Sequence, residues 1–258
     1  MNPETPDSVD LQNNRVVAID GGTATGKGRL IVELSTTMRL KGVPVIHIST
    51  GSIYRAVAYC GLEDSKKRVR NRSKLNEAEL TAKALSLLRE MGPERMLELA
   101  RSHQVEVHGG DVWMDGQEAS LDDQLKAPGV GVGASIVAFY LPVREFVNQV
   151  TRRQINEFDG YSLVDGRDIT HTVVPDSPLK LLLVVSPEVA AERSREHTIE
   201  EIRARDESDR RKPHGALRHP SNPGEGVTVI VTDNHSPESI RDHVYHLMEK
   251  VFGDIPPL

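Results

Sequence analysis

The residues with the clearest chemistry stand between Arg15 and Arg29, in the stretch R-V-V-A-I-D-G-G-T-A-T-G-K-G-R. Gly21, Gly22, Gly26 and Gly28 surround Lys27, with Thr23, Ala24 and Thr25 between them. Glycines let a backbone curl so that successive N–H groups point inward. A helix starting there adds the positive end of its dipole, and Lys27 adds a full charge. The chemistry of such a nest is the binding of phosphate groups. The strict phosphate-loop pattern ends in Lys followed by Ser or Thr, whose hydroxyl reaches Mg²⁺, whereas Gly28 and Arg29 follow Lys27 here. A plain Gly-rich turn between a strand and a helix is the alternative. The apolar run Val16 to Ile19 before the glycines, the helical spacing of Leu30, Ile31, Leu34 and Met38 after them, and the register of Lys27 favour the phosphate loop. Its expected contacts to the phosphates of a nucleotide are Gly21, Gly22, Thr23, Ala24, Thr25, Gly26, Lys27, Gly28 and Arg29.

Further charges stand where other elements turn. Val43 to Ile48 reads as a second short strand, ending on Ser49-Thr50-Gly51-Ser52-Ile53-Tyr54-Arg55. A Gly at the carboxyl end of a strand, before a helix, is where open α/β sheets place ligands. Arg55 taken alone is a solvated helix residue; taken with Lys27 it is a contact for a second phosphate. Arg144 falls in the first turn of a helix, where a cation opposes the dipole. Such a local conflict often marks a functional site, with a surface arginine as the plain alternative. Tyr161 to Val164 is a third buried run and closes on Asp165-Gly166-Arg167-Asp168. A carboxylate at a strand end beside a phosphate loop, here Asp165, can hold Mg²⁺ through water.

The elements that must position these residues alternate. Leu179 to Val185 and Val227 to Thr232 are two more apolar strands, and a helix capped by Ser236 runs to about Val251. Between 51 and 128 the rhythm breaks. A charged stretch from Glu63 to Lys74 reads as a solvated loop. Helices follow at Asn76 to Arg89, with Glu79 three residues after the cap, and from Pro93, and then a hairpin around Gly109-Gly110. Val130 to Phe139 and Pro142 to Phe158 read as two helices. Glu188 to Arg195 and Thr198 to Arg211 carry Arg193, Arg195, Arg203, Arg205, Arg210 and Arg211, with Lys212 just beyond. They read either as a salt-bridged exposed helix pair or as a lid over about 189–213 whose arginines close on phosphates. The expected fold class is α/β: a three-layer parallel-sheet core over 15–258, with an insertion over 51–128 and a short helical lid.

The bulk of the sequence excludes several functions. No apolar run among the 258 residues approaches the length of a membrane span. Residues 1–14 are polar, carry Pro3 and Pro6, and read as a disordered tail without the pattern of a signal peptide. The single cysteine, Cys60, leaves no internal disulfide and suits a reducing cytoplasm. A net charge of −6 and 4% aromatics argue against nucleic acid as a partner, leaving Lys66 to Lys74 as a solvated patch. His243 and His246 share a helix face with no third metal ligand apparent.

These segments together resemble the cytidylate kinases, (d)CMP kinases of the nucleoside monophosphate kinase group, from about Val16 to Met248. The phosphate loop is similar to A-I-D-G-P-x-x-x-G-K-G/S-T. Thr50 to Ala56 resembles D-T-G-A-M-Y-R-A without its Asp, which is Ser49 here. Ala134-Ser135, Val137-Ala138 and Val143-Arg144 resemble A-S-x-V-A…V-R. Asp165 to Ile169 with Val173 and Pro175-Asp176 resembles D-G-R-D-I-G-T-V-V-F-P-D-A, and Glu201 to Arg210 resembles the lid segment. The resemblance implies a P-loop kinase core in which the 51–128 insertion binds the acceptor. It implies ATP and Mg²⁺ as cofactors, with Lys27, Arg167 and Arg205 at the reacting phosphates. Arg55, Arg144 and Arg167 would surround the acceptor's phosphate near Thr50 and Gly51. Ser135, Arg144 and Asp168 would contact the cytosine ring, and Arg205 and Asp209 would reach the acceptor from the lid. The expected partners are small nucleotides only, with no membrane, and the expected form is a cytoplasmic monomer. Ser49, Arg29 and Thr170 depart from the pattern where specificity is set. They leave two other readings, a kinase of the same fold with another or modified acceptor, and a non-catalytic nucleotide-binding protein.

Overall fold

Val16, Val17, Ala18 and Ile19 are each 0% exposed. A continuous apolar run becomes this when its strand is covered on both faces, the condition of a parallel sheet. The computed structural model describes residues 9, 15–119, 123–194 and 198–258. Apart from residue 9, the expected tail lies outside the described residues, as does Arg195 of the expected lid. In chain order come β1 (Arg15–Gly21), α1 (Lys27–Leu40), β2 (Val45–Ser49), α2 (Thr50–Arg68), α3 (Glu77–Glu90), α4 (Pro93–Ser102), β3 (Glu106–His108), β4 (Asp111–Met114), β5 (Gln117–Glu118) and α5 (Val130–Val137). They are followed by α6 (Leu141–Glu157), β6 (Tyr161–Gly166), β7 (Leu179–Val184), α7 (Pro187–Ser194), α8 (Ile199–Arg210), β8 (Val227–Val231) and α9 (Pro237–Phe252). The fold is α/β, with a five-stranded parallel sheet flanked by helices. Its described residues divide into two compact units, one of Ser49–Gln154, the other of the described parts of Pro6–Ile48 and Ile155–Leu258.

The second of these units holds the sheet, in the order β2-β6-β1-β7-β8. Val17 stands opposite Leu163 on one side and Leu179 on the other, both pairings parallel. Leu30, Ile31, Leu34 and Met38 of α1 and Ile240, Val244, Tyr245 and Met248 of α9 pack with Ile19, Leu181 and Leu183 of the strands. Burying each such side chain contributes roughly 1.5–3 kcal/mol. The charged Asp20 ends this apolar strand while only 1% exposed. Its carboxylate accepts three hydrogen bonds, from Ile169 N at 2.7 Å, Thr170 N at 3.1 Å and the Thr170 hydroxyl at 2.6 Å. Burial pushes Asp20 up to about 6, and these hydrogen bonds oppose the shift. They anchor a turn of π-helix, Ile169–Val173, directly after β6. Thr170, expected near the specificity-setting positions, is therefore a buried structural residue, 3% exposed with its hydroxyl on Asp20.

In the other unit α3 starts on a capping box, with Asn76 and Glu79 each bonding the other's backbone N–H. Strands β3, β4 and β5 form an antiparallel sheet. The structure corrects two boundaries. The loop expected from Glu63 to Lys74 is helical as far as Arg68, held by Lys66 bridging Glu63 at 3.2 Å and Glu77 at 3.1 Å. The unit also runs past 128, because Gly133 of α5 lies against Ala58, Leu62 and Leu88 of α2 and α3. Among the described residues no single helix is long and apolar enough to cross a membrane.

Replacing Thr170 by valine keeps its shape and removes the hydroxyl from a buried, charged acceptor. Urea denaturation should show a loss of about 1–3 kcal/mol. An unchanged midpoint would mean that Asp20 holds the turn through the two backbone amides alone.

Candidate active site

The loop between β1 and α1 closes through left-handed backbone at Ala24, φ 53°, and Gly26, φ 89°. Gly26 is the residue before the first helical residue, Lys27, so the loop's last amides and the helix N-terminus share one direction. Lys27 Nζ turns back to donate to Gly21 O at 2.6 Å and Gly22 O at 3.1 Å. Arg167, which leaves the end of β6, donates from Nη1 to the same Gly21 O at 2.7 Å. Two cations thus meet at one carbonyl at the base of the loop. Burial lowers Lys27 to about 8, Arg167 adds to that shift, and Asp165, Asp20 and Asp206 oppose it.

A pocket of about 650 Å³ opens on this loop. Gly22 and residues 24–30 form one side, and Asp165, Arg193, His235, Pro237 and Ile240 complete it. Arg193 is fixed in this wall: Nη1 donates to the Thr232 hydroxyl at 2.9 Å and Nη2 to Thr232 O at 2.5 Å. That hydroxyl in turn donates to Thr25 O at 3.2 Å. By sequence Arg193 is one cation among several in the charged stretch after β7, and His235, Pro237 and Ile240 carry no chemical pattern. No local signal marks those three, since α9 is brought to the pocket by the sheet. Arg29 also lines the pocket, and its guanidinium pairs with Glu33 at 2.6 Å.

Asp165 enters the pocket from the end of β6, and His47 Nε2 lies 2.8 Å from its Oδ1. His47 was also missed. Its signal was the strand period, which puts it on the same face of β2 as Ser49. Among the described residues no group of three or more His, Cys, Asp or Glu is placed to hold a metal. A carboxylate beside a phosphate loop fits Mg²⁺, which is commonly held by one or two carboxylates, water and the substrate's own phosphates.

Helix α8 faces this loop with carboxylates. Asp209 takes Arg167 Nε at 3.1 Å and Lys212 Nζ at 2.7 Å. Burial alone would push the Asp209 carboxyl up, but Arg167 and Lys212 hold it below the usual carboxylate range. Asp206 accepts from Thr23 N and from the Thr23 hydroxyl, both at 2.9 Å. The sequence reading did not single out Asp206. Arg205 is exposed on the same helix, and Asp168 is 4% exposed at the start of the π turn.

The remaining candidates belong to the Ser49–Gln154 unit. Arg144 is not a surface residue; it is 3% exposed, donates to Ala138 O at 3.0 Å and lies 5.8 Å from the centroid of the Tyr54 ring. A guanidinium over an aromatic face is held by cation–π attraction. Thr50 is buried at the first position of α2, Gly51 is exposed and Arg55 is half-buried on the next turn. Ser135 is exposed on α5, its hydroxyl donating to Gly131 O at 3.3 Å. The structure therefore brings Arg144 to Tyr54, the neighbour of Arg55, and groups Arg167 with Lys27 and Asp209.

Comparison with known proteins places these residues in context. The sequence profile of the family described as cytidylate kinase matches residues 17–250. The chain is 28% identical to a cytidylate kinase of Cupriavidus necator, covering 85% of this chain and 88% of that protein. It is 29% identical to a probable cytidylate kinase of Vairimorpha ceranae, over 90% of this chain and 96% of that protein. A cytidylate kinase of Caldanaerobacter subterraneus subsp. tengcongensis is 28% identical, over 91% and 94% respectively.

Only the protonated Lys27 brings charge to a phosphate, so binding should weaken as pH rises through about 8. A lysine at its ordinary value would hold its charge past about pH 10. Calorimetric titration of ADP between about pH 7 and about pH 9.5 should show the dissociation constant climbing from about pH 8, and Lys27→Arg should flatten that climb. A flat profile in the unaltered protein would contradict the lowered value.

Proposed function

The chain belongs to the cytidylate kinase family, and from that premise we propose that it transfers the γ-phosphate of ATP to CMP or dCMP, giving CDP or dCDP. It is a nucleotide-binding phosphotransferase of the kinase type. The relatives named cytidylate kinases support the finer choice of acceptor. One observation carries the reading: Lys27 and Arg167 converge on Gly21 O at the base of the phosphate loop. In-line phosphoryl transfer asks a protein for positioning and charge neutralisation more than for a covalent catalyst. Two converging cations beside a helix N-terminus supply both.

In this mechanism the loop amides and Lys27 hold the donor's phosphates, while Arg193, His235, Pro237 and Ile240 form the wall for its base. Asp165, steadied by His47, would hold Mg²⁺ through water. A Mg²⁺ ion held there would supply positive charge to offset that of the donor's phosphates. Arg167 exchanges its carbonyl partner for phosphate oxygens as charge moves from donor to acceptor. We assign the acceptor's phosphate to Arg55, Arg144 and Arg167, with Thr50 and Gly51 at the start of α2. The cytosine ring falls to Ser135, Arg144 and Asp168. A carboxylate at Asp168 accepts from cytosine's amino group, which uracil's carbonyl cannot replace. Arg205 and Asp209 act from the lid, and exclusion of water protects the transferred group. In this proposal the unit that includes 51–128 is the acceptor-binding part, and about 189–213 is the lid.

The test is a coupled ADP-release assay with ATP and Mg²⁺ against CMP, dCMP, UMP, AMP and GMP, one at a time. Turnover should be confined to CMP and dCMP, and Asp168→Ala should cut the preference for CMP over UMP by about tenfold or more. Turnover with a purine instead, or an unaltered CMP-to-UMP ratio in the variant, would remove cytosine recognition from these residues.

A further inference from the structure

The strict phosphate loop follows its lysine with a hydroxyl, and the related family pattern carries threonine two residues after it. This chain has Gly28 and then Arg29, so neither position offers a hydroxyl. An arginine instead brings a charge that no working pH removes. Arg29 is the third residue of α1 and lines the 650 Å³ pocket beside Lys27, Gly28 and Leu30. Its side chain is 61% exposed, and Nη2 meets Glu33, one turn on, at 2.6 Å. Glu33 also lies 3.9 Å from Arg241 Nη1 on α9. Glu238 follows Pro237 of the pocket wall. Its own backbone amide and the Ser236 hydroxyl hold its carboxyl below the usual range, and Arg29 and Arg241 add to that. The Arg29 guanidinium is thus set on the α9 side of the pocket. Lys27 turns the other way, its Nζ donating to Gly21 O and Gly22 O. Two cations therefore serve two ends of one pocket, Lys27 at the loop base and Arg29 toward Pro237 and Ile240.

We propose that Arg29 binds the donor's α-phosphate, the one joined to the nucleoside, in place of the missing hydroxyl. A donor with its terminal phosphates on the loop and its base on the His235, Pro237 and Ile240 wall passes its α-phosphate between Lys27 and that wall. Arg29 lines this path. A guanidinium donates to phosphate oxygens along a fixed planar fork, and such charge-assisted bonds are about twice as strong as neutral ones. Glu33 takes one edge of the fork and fixes its direction, which makes Glu33 a positioning residue. The two unbridged oxygens of an α-phosphate are stereochemically distinct, so a fork of fixed direction takes one of them in preference. Arg29 is then a specificity residue that reads the α-phosphate by charge and by handedness. This inference rests on the phosphate-loop reading above and deepens it.

The experiment is calorimetric titration of the full chain, without metal, by ADP and by the two diastereomers of ADP that carry sulfur on the α-phosphorus. Sulfur is a poorer acceptor than oxygen, so the unaltered protein should bind one diastereomer about tenfold more weakly than the other. Arg29→Met keeps a long side chain with good helix propensity and removes the charge. It should bind ADP about tenfold more weakly and the two diastereomers alike. Arg29→Lys, which keeps the charge without the fork, should recover part of the ADP affinity and little of the preference. Sulfur on the β-phosphorus should weaken binding by the same factor in the unaltered protein and in Arg29→Met, because that phosphate belongs to the loop. The proposal is overturned by equal binding of the diastereomers to the unaltered protein, by a preference that survives in Arg29→Met, or by undiminished ADP affinity in that variant. Absence of ADP binding by the unaltered protein would instead remove the phosphate-loop reading, and this inference with it.

Discussion

A buried carboxylate at the end of the central strand ties the phosphate loop to the turn that follows β6. Asp20 stands where β1 gives way to the phosphate loop, and it binds the turn that follows β6 through two amides and one hydroxyl. Asp165 stands near the end of β6, and Arg167 and Asp168 lie on the chain between β6 and that turn. A buried charge is tolerated only when its oxygens are satisfied, so the turn cannot drift without stranding Asp20. The register of two parallel strands is thereby converted into a fixed position for Arg167 beside Gly21. The Thr170 hydroxyl supplies one of the three donors from a position where the family pattern carries glycine.

Around this anchor the site alternates in charge. Lys27 and Arg167 face each other across one carbonyl, Asp206 and Asp209 hold Arg167 from α8, and Lys212 closes on Asp209. Such an array is neutral enough to persist without ligand and holds its cations within reach of one. The lowered value at Lys27 is the residual cost of crowding two cations into a desolvated place. In the proposed function, phosphate groups would relieve the crowding at Lys27 and compete with the carboxylates at Arg167.

Much of this was legible in the sequence, for identifiable reasons. Val16 to Ile19 of β1 and Leu181 to Leu183 of β7 are unbroken apolar runs because both faces of these strands are covered, and runs of that kind are visible without alignment. The glycines and Lys27 advertise the loop because their spacing is local. The capping box of α3 was legible for the same reason. The contacts that failed to show are distant in sequence: Asp206 and Thr23 are 183 residues apart, and His47 and Asp165 are 118 apart. Arg144 read as a conflict with its helix dipole, and only packing against Tyr54 explains its burial. Thr170 read as a departure near the substrate, while its partner is a buried aspartate behind the site. The edge of the Ser49–Gln154 unit moved because Gly133 permits close approach of α5 to α2, a property that no single residue type declares.

In the proposed function this loop, with Lys27 at its base, presents a phosphate for transfer to an acceptor nucleotide. The most direct test is a single-turnover experiment with ATP labelled in its γ-phosphate, CMP as acceptor and enzyme in excess, quenched at successive times. The account predicts label in CDP with the unaltered protein and a rate lower by about 100-fold or more in Lys27→Ala, with circular dichroism and the melting temperature little changed. Equal rates of transfer in the two proteins, both fully folded, would contradict it.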